Sequence, residues 1–163
     1  MKRFVVFSML LALCLTGCGA EETFETIADE MVQSVSAQMQ NILIQLPGEA
    51  ASPTVESGAS RLYQCSDYEI SIQTLAGGDL SETIRSLTGY EKDSLTVMQT
   101  QRDGYACYEF VWASVGEWGD QVGRGMILDD GSYHYCVSIL GAAESAEENK
   151  VFWDEMFSSV TLG

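Results

Sequence analysis

Four strand-like segments, most of them separated by short polar turns, restrict the fold of this chain more than any other feature of its sequence. The turn sequences are Arg102-Asp103-Gly104 and Asp129-Asp130-Gly131, and such residues favour tight connections between neighbouring antiparallel strands. A stretch rich in Gly and Trp, Val115–Asp120, is predicted to be a loop. The segments therefore predict an antiparallel meander of four strands: Leu95–Gln101, Tyr105–Ser114, Gln121–Leu128 and Tyr133–Leu140.

Further strand and helix signals flank this meander. Leu62–Tyr63 and Tyr68–Leu75 are predicted strands, and Asp79-x-x-Glu82 is typical of the start of a short helix. Ser145-x-x-Glu148 predicts a last helix with one apolar face, formed by Val151, Phe152, Met156 and Phe157. This order predicts an α+β fold in which the helices pack on one face of an antiparallel meander sheet.

The order of elements over residues 61–162 resembles the PsbP-like fold, named for an extrinsic subunit of photosystem II. The resemblance is carried by that order, by the long Tyr105–Ser114 strand and by the ending Phe152–Val160. Many bacterial lipoproteins share this fold, and the resemblance implies an accessory or assembly role. No ligand motif of the family maps onto this chain, so we transfer no functional residue.

The first eighteen residues carry a signal of a different kind. Lys2 and Arg3 precede the apolar run Phe4–Leu15, which at about 12 residues is too short to span a bilayer core of about 30 Å. This length fits the apolar core of a signal peptide. Leu15-Thr16-Gly17-Cys18 follows, and it is similar to the lipobox of bacterial lipoproteins.

The lipobox resemblance implies that residues 1–17 are a signal peptide and that the Cys18 thiol receives a diacylglyceryl group. Two acyl chains hold a protein stably on a membrane. The expected location is the extracytoplasmic face of a bacterial cell membrane, with the lipid on Cys18 as the membrane contact.

Two further segments are predicted between Cys18 and the globular domain 61–163. Apolar residues recur about every 3.7 positions from Phe24 to Leu46, which predicts a long amphipathic helix within residues 18–46. Its apolar stripe could pack on the domain, or it could serve as a stalk or a surface for a partner. Residues 47–60 contain both prolines of the chain and are predicted to be a flexible linker.

The charge balance excludes one class of partner. The chain has 8 Lys and Arg against 24 Asp and Glu, a net charge of −16. Nucleic-acid binding requires clustered Lys and Arg, so we expect no nucleic-acid partner. The acidity could keep the protein soluble or attract a cationic partner.

The cysteines leave the redox state open. Cys14 lies in the signal peptide and Cys18 is expected to carry the lipid, so Cys65, Cys107 and Cys136 remain. An odd number allows one disulfide with a free thiol, or three buried thiols. Because the chain has no C-x-x-C, neither a redox motif nor a zinc site is predicted.

Candidates for catalysis or metal binding are few. His134 is the single histidine and is expected to be a structural residue of a strand, since a general base needs a positioned partner. Asp129 and Asp130, together with Asp120, could offer oxygens to Ca²⁺, but their spacing is not that of a calcium loop and a hairpin turn explains the first two. We therefore predict no catalytic residue, metal or cofactor.

Two residues are candidates for contact with a partner. Trp118 lies between glycines and could stack on a sugar ring, enter a pocket of another protein or cap the sheet edge. Arg124 could bind an anion or pair with an acid of the chain. The predicted function is a lipid-anchored accessory or binding protein without catalysis, which contacts an envelope protein or polymer. A carrier with one pocket for a small ligand or metal, and an envelope hydrolase, are the alternatives.

Overall fold

A computed structural model describes residues 38–163. The lipobox, Cys18 and most of the predicted amphipathic helix lie outside the described residues. Within them, no helix is long and apolar enough to cross a membrane. The helices and strands are β1 (Ile42–Leu43), β2 (Val55–Ser57), β3 (Ser60–Gln64), β4 (Tyr68–Ala76), α1 (Leu80–Thr88), β5 (Val97–Arg102), β6 (Tyr105–Gly116), β7 (Gly119–Asp129), β8 (Tyr133–Ala142), α2 (Ala146–Ser158) and β9 (Thr161–Leu162), with 3₁₀ turns at Gly48–Ala50 and Lys92–Ser94.

Seven of the strands form one antiparallel sheet in the order β2-β3-β4-β8-β7-β6-β5. The predicted α+β class is confirmed, and the meander β5-β6-β7-β8 is present. The sheet is larger than that meander because β4 pairs with β8 along nine residues, from Tyr68↔Gly141 to Ala76↔Tyr133. This pairing brings β3 and β2 into the same sheet.

The two helices lie on opposite faces of the sheet, so the prediction that they share one face is wrong. Trp153 and Phe157 of α2 belong to the apolar cluster that includes Val137 of β8. Ile84 of α1 packs in a second cluster with Cys136, the neighbouring residue of β8. Successive residues of a strand point to opposite faces. Because β8 is buried on both faces, the sheet needs a cover on each side.

The segment before residue 61 also differs from its prediction. Residues 38–46 are not helical, and β1 pairs with β9 near the end of the chain. In residues 47–60 the chain forms a 3₁₀ turn and then β2, which pairs with β3. Ile42 and Ala50 are buried in the core of the α2 face. Ordered backbone of the domain thus replaces the helix end and the flexible linker expected here.

Two glycines of β7 provide space for aromatic rings of β6. Gly123 is opposite Trp112 and Gly125 is opposite Phe110. The rings lie so close above these glycines that a Cβ atom added at either position would collide with them. Both rings are buried, 6.0 Å apart, in the cluster under α1. The glycines in this stretch therefore serve packing within the sheet.

We predict that Gly123→Ala destabilises the domain by about 1–3 kcal/mol, because the new methyl group forces the Trp112 ring out of its packed position. Urea unfolding followed by tryptophan fluorescence measures the change. Gly58→Ala is the matched control, because a Cβ there meets no atom within 4 Å. Equal stability of the two variants would contradict the packing role of Gly123.

Candidate functional site

His134 is enclosed between α1 and the β7–β8 hairpin. Its side chain is on the α1 face of β8, and the residue is 1% exposed. Nδ1 lies 2.7 Å from Oγ1 of Thr83, and Nε2 lies 3.7 Å from a carboxylate oxygen of Asp129. A general base must reach the proton that it abstracts. The burial of the ring agrees with the structural role predicted for this residue.

The carboxylates of the Asp129-Asp130-Gly131 turn accept hydrogen bonds from the β7–β8 hairpin itself. Asp129 accepts a bond of 2.7 Å from the backbone N–H of Gly131. Oδ1 of Asp130 accepts from the N–H groups of Ser132 and Tyr133, at 2.8 and 2.7 Å. Its Oδ2 accepts from the Tyr135 hydroxyl at 2.8 Å. Across residues 38–163 no group of three His, Cys, Asp or Glu side chains is placed to hold a metal ion.

These bonds change the pKa of Asp130. Burial alone would raise it, but the N–H groups of Ser132 and Tyr133 and the Tyr135 hydroxyl stabilise the carboxylate and lower the pKa below its ordinary value. The ionised carboxylate of Asp130 therefore helps to stabilise the β7–β8 turn.

The three thiols of the described chain are free and unsuited to chemistry. Cys107 and Cys136 are buried and Cys65 is half-buried. Burial raises the pKa of all three thiols, that of Cys136 to about 12. Because the thiolate is the reactive form, these positions are poor nucleophiles. Cys107 and Cys136 lie in the apolar clusters on opposite faces of the sheet.

Arg124 makes its contacts inside the fold. Its guanidinium pairs with Glu109 of β6 at 3.1 Å and with Asp154 of α2. It also lies over the Phe157 ring, 4.5 Å from the ring centroid. Arg124 therefore ties β7 to its neighbouring strand and to α2, and pairing within the chain is the role that its contacts favour.

The stretch predicted as a loop around Trp118 is the tip of a long hairpin. β6 and β7 continue to Gly116 and Gly119, and only Glu117 and Trp118 form the turn. Gly119 has φ +76°, a conformation that glycine adopts without strain. Trp118 is half-buried at this tip. The glycines that suggested a loop instead permit a two-residue turn.

β6 extends well beyond the strand that covers its outer side. The pairing of β5 with β6 ends at Val97↔Phe110, while β6 continues to Gly116. Among the described residues no strand pairs with the outer side of Val111–Gly116, which we call the open edge. No local feature of the sequence marks this edge, because it results from the unequal lengths of two strands.

The direction of the backbone groups along the open edge follows from the hairpin register. Gly116 and Gly119 flank a two-residue turn, so they exchange both backbone hydrogen bonds across it. Because the backbone groups of successive residues alternate in direction along a strand, the N–H and C=O groups of Ala113 and Val115 point away from β7. The Tyr90 hydroxyl donates to the carbonyl oxygen of Ala113 at 2.7 Å, which agrees with that direction.

The open edge carries apolar side chains in contact with solvent. Val115 is 80% exposed, Val111 is 57% exposed and Tyr90 is 39% exposed. Two shallow depressions, of about 400 and 600 Å³, share Tyr90 and Ala113 in their walls. One extends along Val115 towards Asp120, and the other along Val111 towards Leu95.

A separate polar cavity of about 330 Å³ lies between α1 and the sheet. Ser71 and Ser138, which are neighbours across β4 and β8, line it together with Trp112 and the end of α1. Glu69 is its one charged lining residue. The cavity does not include His134, so no histidine is available there for acid–base chemistry.

No protein-family model and no curated protein matches this chain. Several solved structures are distantly similar. A protein of Bacteroides thetaiotaomicron VPI-5482 is 14% identical, with a TM-score of 0.49 over 75% of this chain and 45% of its own. The cyanobacterial PsbP (CyanoP) of Synechocystis sp. PCC 6803 is 13% identical, with a TM-score of 0.49 over 76% and 82%. The Saccharomyces cerevisiae Ran-binding protein Mog1p is 12% identical, with a TM-score of 0.48 over 76% and 95%.

The chain thus spans less than half the length of the Bacteroides protein. The similarity is distant and concerns the arrangement of the chain, so we draw no functional conclusion from it.

We predict that Asp130→Asn lowers the free energy of unfolding at pH 7 by roughly 1–2 kcal/mol, since it weakens bonds to a charged acceptor. Folding lowers the pKa of Asp130, so its contribution is complete above the ordinary value of 3.8 and is lost as the pH falls through the folded value. The difference between variant and parent should therefore shrink as the pH falls from about 5 towards about 3.

Urea unfolding at a series of pH values makes this comparison. Asp103→Asn, in the tight β5–β6 turn, is the matched control. A destabilisation by Asp130→Asn that stays constant across the series would show that the charge of Asp130 does not stabilise the turn.

Proposed function

We propose that this protein is a lipoprotein, anchored through Cys18 on the extracytoplasmic face of a bacterial membrane, whose domain binds a partner and catalyses no reaction. The observation that carries the binding role is the open edge of β6, with its exposed valines and with Trp118 at the adjoining hairpin tip. The lipobox Leu15–Cys18 supports the anchor.

The polar groups that could perform catalysis are engaged within the fold, which favours binding over an enzymatic role. His134 is buried against Thr83, and Arg124 is paired with two acids. The carboxylate of Asp130 accepts three hydrogen bonds from its own hairpin. An envelope hydrolase would need such groups to converge on an accessible cleft.

The partner is an envelope protein or polymer that contacts the β6–β7 tip. Exposed apolar groups beside unpaired backbone groups are typical of interaction surfaces, and a partly buried Trp is a frequent anchor of such contacts. The polar cavity under α1 is the observation that favours the second candidate, a carrier of one small polar ligand.

We predict that Cys18→Ser moves the protein from the membrane fraction to the soluble fraction of a bacterial host. Without the thiol no diacylglyceryl group can be attached, and the acidic domain has no electrostatic attraction to anionic lipid. Cys65→Ser is the matched control, because it removes a thiol but leaves the lipobox intact. Membrane association that survives Cys18→Ser, with equal processing of the chain, would refute the anchor.

We predict that Trp118→Ala weakens partner capture from crosslinked membranes at least about tenfold, the effect expected of an interface Trp. Quantitative mass spectrometry of the captured proteins and glycans measures the loss. Val151→Ala, at an exposed apolar position of α2, is the control and should keep the partner. Equal capture by both variants, or no captured partner at all, would contradict the proposed function.

A further inference from the structure

The open edge offers backbone groups that another extended chain can use. Ala113 and Val115 direct their N–H and C=O groups outward, beyond the last residue of β6 that β5 covers. One carbonyl, that of Ala113, is occupied by the Tyr90 hydroxyl. A side-chain hydroxyl at the surface is easily replaced by a backbone donor. An exposed strand edge of this kind is a template for pairing with a further strand.

The side chains along the open edge suit an apolar segment. Val111, Ala113 and Val115 lie on one face of the sheet, and the two valines are exposed. Alternate residues of an added strand would lie about 7 Å apart on that face. The depressions on either side of the contact between Tyr90 and Ala113 provide room for them.

The charges around the open edge indicate the sign of the charge on the partner. Glu117 lies in the hairpin turn, Asp120 is paired across from Val115, and Asp93 lies in the 3₁₀ turn before β5, next to Lys92. Over residues 38–163 there are 19 acids and 6 cations. Charge complementarity therefore favours a partner with Lys or Arg and disfavours a second copy of this acidic chain.

We propose that the open edge of β6 binds its partner by strand addition, and that the bound segment is extended and apolar with Lys or Arg at its ends. This inference rests on the proposed binding function, for which it specifies the mode of contact and the chemistry of the partner. The Tyr90 hydroxyl holds the Ala113 carbonyl while the edge is free, and a backbone N–H of the partner takes its place.

The test uses the full chain, purified in detergent, and two fluorescein-labelled peptides, KVTVTVK and EVTVTVE. Fluorescence anisotropy measures binding of each peptide. The cationic peptide should bind at least tenfold more tightly than the charge-reversed one. Binding of the two peptides with equal affinity, or of neither, would overturn the proposal.

Three substitutions, two at Val115 and one at Tyr90, make the test specific. Val115→Pro removes an outward N–H but no bond to β7, and it should lower the affinity for the cationic peptide at least tenfold. Val115→Thr keeps the N–H, and its affinity for the same peptide should stay within about threefold of the parent's. Tyr90→Phe removes the competing hydroxyl and should tighten binding about threefold. Because misfolding cannot raise the affinity, Tyr90→Phe still tests the proposal if Val115→Pro fails to fold.

The outcomes separate this proposal from the broader function. A membrane partner that is lost with Trp118→Ala but retained with Val115→Pro would overturn strand addition and leave the binding role in place. Self-association of the full chain that Val115→Pro abolishes, without peptide binding, would identify a second copy as the occupant and likewise overturn the proposal. Peptide binding as described, with no partner captured from membranes, would refute the proposed function alone.

Discussion

Two aromatic rings of β6 pack against two glycines of β7, and this contact sets how the two longest strands of the sheet pair. Trp112 and Phe110 of β6 lie across Gly123 and Gly125 of β7, and α1 covers them through Ile84. A register shifted by two residues would place the side chain of Gln121 or Ile127 under one of the two rings. The contact therefore fixes the pairing of the two longest strands, and with it the position of the tight turn at Glu117 and Trp118.

The exposed surface of β6 is a consequence of that register. Once Trp112 occupies the α1 face, Val111, Ala113 and Val115 must lie on the other face, beyond the reach of α2. β5 is half as long as β6 and covers only its first half. Backbone groups and valines are thus left together in solvent, at the end of the sheet that carries Trp118. Binding at this edge is a proposal that follows from strand lengths and register.

Local signals in the sequence predicted local structure well. Asp79 caps α1 by accepting from the N–H of Ser81, and Gly89 ends this helix with φ +77°. Ser145 makes no such cap at α2, and its hydroxyl donates to the carbonyl of Ala142. The turn at Asp129-Asp130-Gly131 formed where its residues predicted it.

Pairings between distant segments could not be predicted in this way. The whole fold determines these contacts: the pairing of β1 with β9, the pairing of β3 with β4 and the hydrogen bond of Tyr90 to Ala113. The glycines around Trp118 mark this residue as a candidate for partner contact, but no pattern in the sequence predicts the open edge beside it. Amide hydrogen exchange, measured by NMR on the full chain, tests the openness of this edge most directly. We expect the amides of Trp112 and Ser114, which are bonded to β7, to exchange at least about tenfold more slowly than those of Ala113 and Val115. Equal protection of all four amides would show that the edge is covered and not open to a partner strand.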